Sequence, residues 1–288
     1  MHRPAPADHD DAPLAETLAA ARAHFGGHDV LGTRLGAPAG WLRAGEIVRT
    51  RAPLDDLLAK ATATTGGGRA DIGGTLLAEG YAFALALRAV GTLLFGTRIP
   101  AMAPGEVALE FAGGDATITG VAFAGGAYGV AGDEREGDPA LVVVADEDAL
   151  LARLHAEMEG HLAPLLEAIG AATGRPQRAL WRSAGDRLGG AFLWLGEVVG
   201  MRERAWDLGS RCMQAGGPLA VGAGYRVLDH AGIAEPTRDR RGCCLIYRVA
   251  GNDTCFTCPL TAERERRARL EARAAAAAAA AATAAHPA

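Results

Sequence analysis

Four of the chain's five cysteines, Cys243, Cys244, Cys255 and Cys258, fall within the stretch Arg240 to Leu260, RRGCCLIYRVAGNDTCFTCPL. The pattern is C-C, ten intervening residues, then C-x-x-C. Four thiols that close in sequence oblige the segment to fold back on itself, and in a reducing compartment they favour tetrahedral sulfur coordination of zinc or of an iron–sulfur centre. Leu245 to Val249 is expected as a strand, Ala250 to Asp253 as a turn, and Thr254 onward as the return that brings the second pair toward the first. The adjacent pair needs a special backbone. In a regular strand Cys243 and Cys244 would point to opposite faces, so joint ligation requires an irregular conformation that Gly242 can help provide. A zinc knuckle separates its first two ligands by about two to four residues, so C-C spacing weighs against zinc. Cys212 adds no matching spacing and is expected to be a small buried residue. An odd cysteine total, with no charged n-region and apolar h-region, argues against a secreted disulfide scaffold and for a reducing cytoplasm.

The 288-residue chain as a whole is 49% hydrophobic, enough to bury one sizeable core or two modest ones. Acidic residues outnumber basic ones, 34 to 29, for a formal charge of −5, which argues against a protein that wraps nucleic acid. Lysine occurs once, at Lys60, so nearly all positive charge is arginine. Leu76 to Phe95 is the nearest approach to a membrane span, but it contains Glu79 and Arg88. A buried globular helix can place such charges at its solvent edge or pair them, whereas a lipid-facing span would bear the desolvation cost of both. Peripheral contact with a membrane protein needs no such span.

Apolar spacing predicts helices from Pro13 to Phe25, from Pro53 to Thr65, around residues 74–94, from Asp146 to Gly174 and from Ala179 to Gly200. Pro164 is expected to kink or divide the fourth, and Gly189-Gly190 to break the fifth. Val107 to Phe111, Ala116 to Phe123 and Ala140 to Ala145 read as strands, the last two separated by the acidic loop Gly132 to Pro139. Ala205 to Ala234 is glycine-rich, with a short strand at Tyr225, Val227 and Leu228. After the cysteines, TAERERRARLEAR and the alanine run that follows it are locally helical without an evident core face, and are expected as an exposed extension.

Other candidate sites are weaker. His155 with Glu159 and Glu157 with His161 have i,i+4 spacing, and such pairs on a charged helix face are expected to be solvated. Trp181, Trp194 and Trp206 read as core residues, with the edge of a substrate pocket as their alternative use. Gly222-Ala223-Gly224 begins like a dinucleotide fingerprint, but Val227 occupies the last glycine position, and there is no phosphate-binding P-loop. Nothing visible converts hydride to single electrons, so a redox centre here needs an external electron donor.

The C-C-x10-C-x2-C pattern, followed by Pro259-Leu260, resembles the FhuF-like ferric siderophore reductase family; weaker similarity over roughly residues 70–235 rests on the long apolar helix and on HLAPLLEAI followed by ALW. The resemblance implies a [2Fe-2S] cluster ligated by Cys243, Cys244, Cys255 and Cys258. It further implies one-electron reduction of a ferric siderophore to release Fe(II), in the cytoplasm or peripherally at the inner membrane beside a siderophore importer. The resulting organisation is a flexible N-terminus (1–12), a siderophore-reductase-like α+β region (13–237), a [2Fe-2S]-binding segment (238–260) and a charged, alanine-rich tail (261–288). The expected fold class is α+β, predominantly helical with short strands and a small C-terminal cysteine-ligated cluster segment. Arg238, Arg240, Arg241 and Arg248 surround the motif and are candidates for tuning the cluster or drawing in anionic substrate. A zinc-stabilised cytoplasmic adaptor, binding a protein partner through the helical region, is the alternative.

Overall fold

The computed structural model describes Pro4 and residues 11–29, 31–65, 68–221, 223–230 and 233–284. Most of the expected N-terminal segment 1–12, Gly66-Gly67, Gly222 and the last four residues lie outside the described residues. In chain order the elements are α1 (Pro13–His24), β1 (Thr33–Leu35), β2 (Leu42–Arg43), α2 (Ala44–Arg49), α3 (Ala52–Ala63), α4 (Ala70–Gly96), β3 (Arg98–Pro100), β4 (Val107–Phe111), β5 (Ile118–Phe123), β6 (Ala127–Val130) and β7 (Leu141–Val144). There follow α5 (Glu147–Thr173), α6 (Gln177–Val198), α7 (Arg202–Cys212), α8 (Gly217–Ala220), β8 (Ala223–His230), β9 (Ile233–Arg240), a 3-10 turn (Ile246–Arg248) and α9 (Glu263–Ala284). The chain is predominantly helical with short mixed strands.

Helix α4 is apolar on nearly every side and forms the centre of the molecule, packed by α1, α3, α5 and α6. It is long and apolar enough to cross a membrane, and in this fold most of that stretch is covered by protein. Glu79 and Arg88 are both buried rather than at a solvent edge. Helix α5 starts on an Asp146 side chain that accepts the Ala149 N–H at 2.8 Å and stops at left-handed Gly174. Pro164 lies inside α5 without dividing it, and α6 runs unbroken through Gly189-Gly190. Helix α7, which occupies the start of the glycine-rich stretch, was not anticipated, nor were β1, β2, α2, β3 and β6.

Two small sheets lie beside the helices. One has the order β1-β5-β4-β2, with β1 parallel to β5 and the other pairings antiparallel; the second, β3-β6-β7, pairs β6 and β7 in parallel. The acidic loop after β6 is a tie rather than a spacer, because Asp133 receives a two-pronged ion pair from buried Arg98 at 2.8 and 2.7 Å.

The α5 histidine–carboxylate pairs are not solvated. His161 donates from Nδ1 to the Met102 carbonyl (2.6 Å), which leaves Nε2 to accept from the Tyr81 hydroxyl (2.8 Å). Glu157 accepts the Met102 N–H at 2.7 Å and the Tyr128 hydroxyl at 3.0 Å. One turn of α5 therefore clamps both backbone groups of Met102, and neither side chain is left for a ligand. His155 is likewise buried, 3.4 Å from Glu159. Trp194 departs from the core expectation: it is 47% exposed, edge-on to Phe83.

Candidate metal centre

The cysteine segment is delivered by the β8–β9 hairpin, whose antiparallel register pairs Ala223 with Arg240 and His230 with Ile233. Strand parity sorts the run Arg238-Asp239-Arg240. Arg238 and Arg240 turn inward to α6 and α4, while Asp239 turns away to Arg226 (2.6 Å). Arg238 donates to Asp186 at 2.8 Å; Arg240 donates to Glu79 at 3.0 Å and lies 2.9 Å from Asp186 through Nε. Arg187 closes the network by a second pair with Glu79. Glu79 and Asp186 are 1% and 0% exposed, so both charges depend on these guanidiniums for compensation.

Close packing explains two glycines near this junction. A Cβ on Gly190 would lie 3.1 Å from the Arg238 guanidinium, and one on Gly242 would lie 3.0 Å from Arg182 on α6. The paired glycines of α6 therefore admit the hairpin instead of breaking the helix, and the Tyr225 hydroxyl completes the contact by donating to the Gly189 carbonyl at 2.8 Å.

Beyond Gly242 the chain does not continue as a strand. Leu245 adopts a left-handed φ of +64°, and Ile246–Arg248 form a 3-10 turn where a strand was expected. A non-glycine residue held there supplies the irregular backbone that adjacent cysteines require. The turn also directs N–H groups at sulfur: Leu245 N–H donates to Cys243 Sγ at 3.4 Å, and Ile246 N–H donates to Cys244. Arg175 fixes the same arm by donating to the Cys243 carbonyl at 2.9 Å.

The returning arm is held from α9. Arg269 donates to the Thr254 hydroxyl at 2.8 Å and to its carbonyl at 3.3 Å, and Leu270 is buried. The first turns of the tail thus dock against the cysteine segment, contrary to the expectation of an exposed extension.

Thiols of the two arms lie close enough to act on one another: Cys243 interacts with both Cys258 and Cys244, and Cys255 interacts with Cys258 and, through a thiol hydrogen bond, with Cys244. Receiving that bond pulls the Cys244 pKa down, while donating it, together with burial, pushes Cys255 up. Arg240 Nη1 donates to Cys255 Sγ at 3.6 Å, so the guanidinium that joins Glu79 and Asp186 also touches a candidate ligand. Burial opposes its charge, but Asp186 and Glu79 overcome that cost and hold Arg240 above its ordinary pKa.

Residues 240–260 match the family model of the FhuF 2Fe-2S C-terminal domain. No curated protein matches the chain. The matched stretch opens on buried Arg240 and spans all four clustered cysteines; Arg238 precedes it, and Cys212 lies outside it. Cys212 is fully buried in α7, with its thiol pushed up to about 12 by burial.

The chemistry of the donor set fits sulfur-bridged iron: four thiols would serve as ligands, and two N–H groups with one guanidinium direct hydrogen bonds at sulfur that would stabilise thiolate charge. Among the described residues no group of three or more His, Cys, Asp or Glu side chains is arranged to hold a metal ion. Cys244 and Cys258 are buried; Cys243 and Cys255 are half-buried. Beside them Phe256 is 51% and Leu260 60% exposed. Arg241 and Arg248 face solvent, with Arg248 bonded to the Tyr247 hydroxyl.

Sequence reasoning did not single out Asp186 or assign a role to Glu79. The available signal for Glu79 was a carboxylate inside an otherwise apolar run; Asp186, in the ordinary-looking stretch RSAGDRLGG, gave none.

Proposed function

We propose that this protein reduces ferric siderophores by one electron, using a [2Fe-2S] centre held by Cys243, Cys244, Cys255 and Cys258, and so releases Fe(II). When bound, such a centre accepts one electron from an external donor and supplies it to Fe(III), whose product Fe(II) is held less tightly by the hard oxygen ligands of the siderophore. The observation that carries the reading is the match of residues 240–260 to the FhuF 2Fe-2S C-terminal domain, whose four cysteines come from two arms that the fold brings together. Adjacent Cys243 and Cys244 depart from the spacing of a zinc knuckle, which weighs for the two-iron centre over zinc.

The chain's own residues set the charge and the access. Arg187, Arg238 and Arg240 face two carboxylates, Glu79 and Asp186, and burial pushes the Asp186 carboxyl up despite its arginine partners, so positive charge is in excess beside the thiols. That excess favours thiolate and the more negative, reduced state of the site. Half-buried Cys243 and Cys255 give electrons a short route to the surface. Exposed Phe256 and Leu260 offer an apolar contact for the approaching partner, and Arg241 and Arg248 attract an anionic ferric siderophore or an acidic electron donor. This function calls for a cytoplasmic protein, free or in peripheral contact with a siderophore importer at the inner membrane.

Anaerobic purification tests it. The protein should be brown and contain about two irons and about two acid-labile sulfides. Serine at any one of the four clustered cysteines should abolish that content, whereas Cys212→Ser should retain it. Chemically reduced protein should then bleach one ferric siderophore per chain as a ferrous chelator traps the product. Stoichiometric zinc, or a reduced centre that ferric siderophore fails to reoxidise, would overturn the assignment.

A further inference from the structure

A second site lies on α4, at the other buried charge. Arg88 is 7% exposed and lines a cavity of about 380 Å3 with Leu76, Leu77, Phe83, Leu87 and Ile118. Its guanidinium donates to two backbone carbonyls, Ala84 at 3.2 Å and Thr119 at 3.3 Å, and Nε has no hydrogen-bond partner. Among the described residues no carboxylate lies within ion-pair distance of it, and exposed Asp29 is the nearby acidic charge.

An isolated buried cation is costly, and proteins normally compensate it with a counter-ion or pair it across an interface. Here the structure supplies carbonyls alone and leaves Nε without a partner. Burial lowers the Arg88 pKa to about 10, so the group remains cationic at neutral pH. The walls beside it are mainly aliphatic and aromatic, with Thr64 and Thr117 also in the lining, a surface that suits an apolar body better than a strongly hydrated ion such as free phosphate. A guanidinium fork matches the two oxygens of a carboxylate, and the cavity volume is at the lower end of the range for small-molecule sites.

We infer that this cavity binds a small amphipathic carboxylate, its apolar body among Leu76, Phe83, Leu87 and Ile118 and its carboxylate on Arg88. The site does not depend on the redox assignment, because it uses none of the cysteines. Phe83 nevertheless joins the two regions: Arg187, the arginine that pairs with Glu79, lies over its ring at 5.9 Å.

Calorimetric titration of the full-length protein with sodium octanoate tests the inference, with 1-octanol as the uncharged probe. Octanoate should saturate a single site, and octanol should bind about tenfold or more weakly, the value of a charge-assisted bond. Gly80 lines the same cavity, and a Cβ there would meet open space. Gly80→Leu should therefore fill the cavity without strain and abolish octanoate binding. Arg88→Gln should erase the preference for octanoate over octanol. Absence of saturable octanoate binding, equal affinity for both probes, or unchanged binding in Gly80→Leu would overturn it.

Discussion

Glu79 and Arg88 sit about two and a half turns apart on one apolar helix, and the fold treats them oppositely. Glu79 is met by two guanidiniums, one from the neighbouring helix and one from a strand of the C-terminal hairpin. Arg88 is met by carbonyl dipoles and a cavity. A charge buried with partners becomes a structural joint, because neither element can leave without stranding the other's charge. A charge buried without them remains available to something from outside. At the Glu79 end, stability and redox chemistry are therefore tied together through Arg240, which touches Glu79, Asp186 and Cys255 in one reach.

The sharpest test of that contrast removes one partner from the joint. Glu79→Gln and Asp186→Asn each leave buried guanidinium charge undercompensated, so each should cost about 3 kcal/mol or more of unfolding free energy, read from denaturant midpoints. The same Glu79→Gln change takes a negative charge from beside the thiols and should raise the reduction potential of the reconstituted centre, while Arg240→Gln should lower it. Variants within about 0.5 kcal/mol of wild type would dissolve the distinction between the two ends of α4.

Between those charges α4 presents Tyr81 to His161, a buried polar group kept neutral. Burial lowers the His161 pKa from 6.5 to about 4. Between those pH values the unfolded chain binds a proton that the folded chain refuses, so this contribution is present above pH 6.5 and is lost as pH falls toward 4. The loss should reach about 3 kcal/mol across that window. Urea unfolding of wild type and His161→Gln at a series of pH values isolates it: the variant should be less stable at pH 7 but less sensitive to acid. Equal slopes in the two proteins would show that His161 does not titrate as a buried neutral group.

The legible parts of this molecule were those whose cause is local. Cysteine spacing marked the segment that the 2Fe-2S family model matches, apolar periodicity marked α4, α5 and α6, and β-branched runs marked β4, β5 and β7. What sequence alone misassigned was decided across long separations. Leu245 is left-handed, and the segment after it turns, because both arms must present thiols to one another. Gly189-Gly190 stays helical because a hairpin packs there. Glu157 and His161 of α5 look solvated until Met102, in the loop that follows β3, takes up their hydrogen bonds. Asp186 acquires its meaning only when Arg238 and Arg240 arrive from the hairpin beside it. Local pattern identifies an element, but the partner that fixes a buried charge belongs to tertiary structure.

The smallest expected change lies at the unpaired end. Arg88→Met removes two hydrogen bonds to backbone carbonyls, each worth about 1.5–3 kcal/mol for a charged donor. It also removes the burial cost of an ion that has no carboxylate partner, and methionine fills the space of the aliphatic stem without a polar head. These terms oppose one another, so the variant should unfold within about 1 kcal/mol of wild type at pH 7. The depressed pKa adds a second mark. Above pH 10 the folded protein loses the Arg88 proton before the unfolded chain does, and wild type should then gain on the variant as pH rises from about 10 toward 12.5. A loss comparable with that of Glu79→Gln at neutral pH would mean that Arg88 is a joint of the same kind, with the two carbonyls serving in place of a carboxylate, and the contrast along α4 would fail.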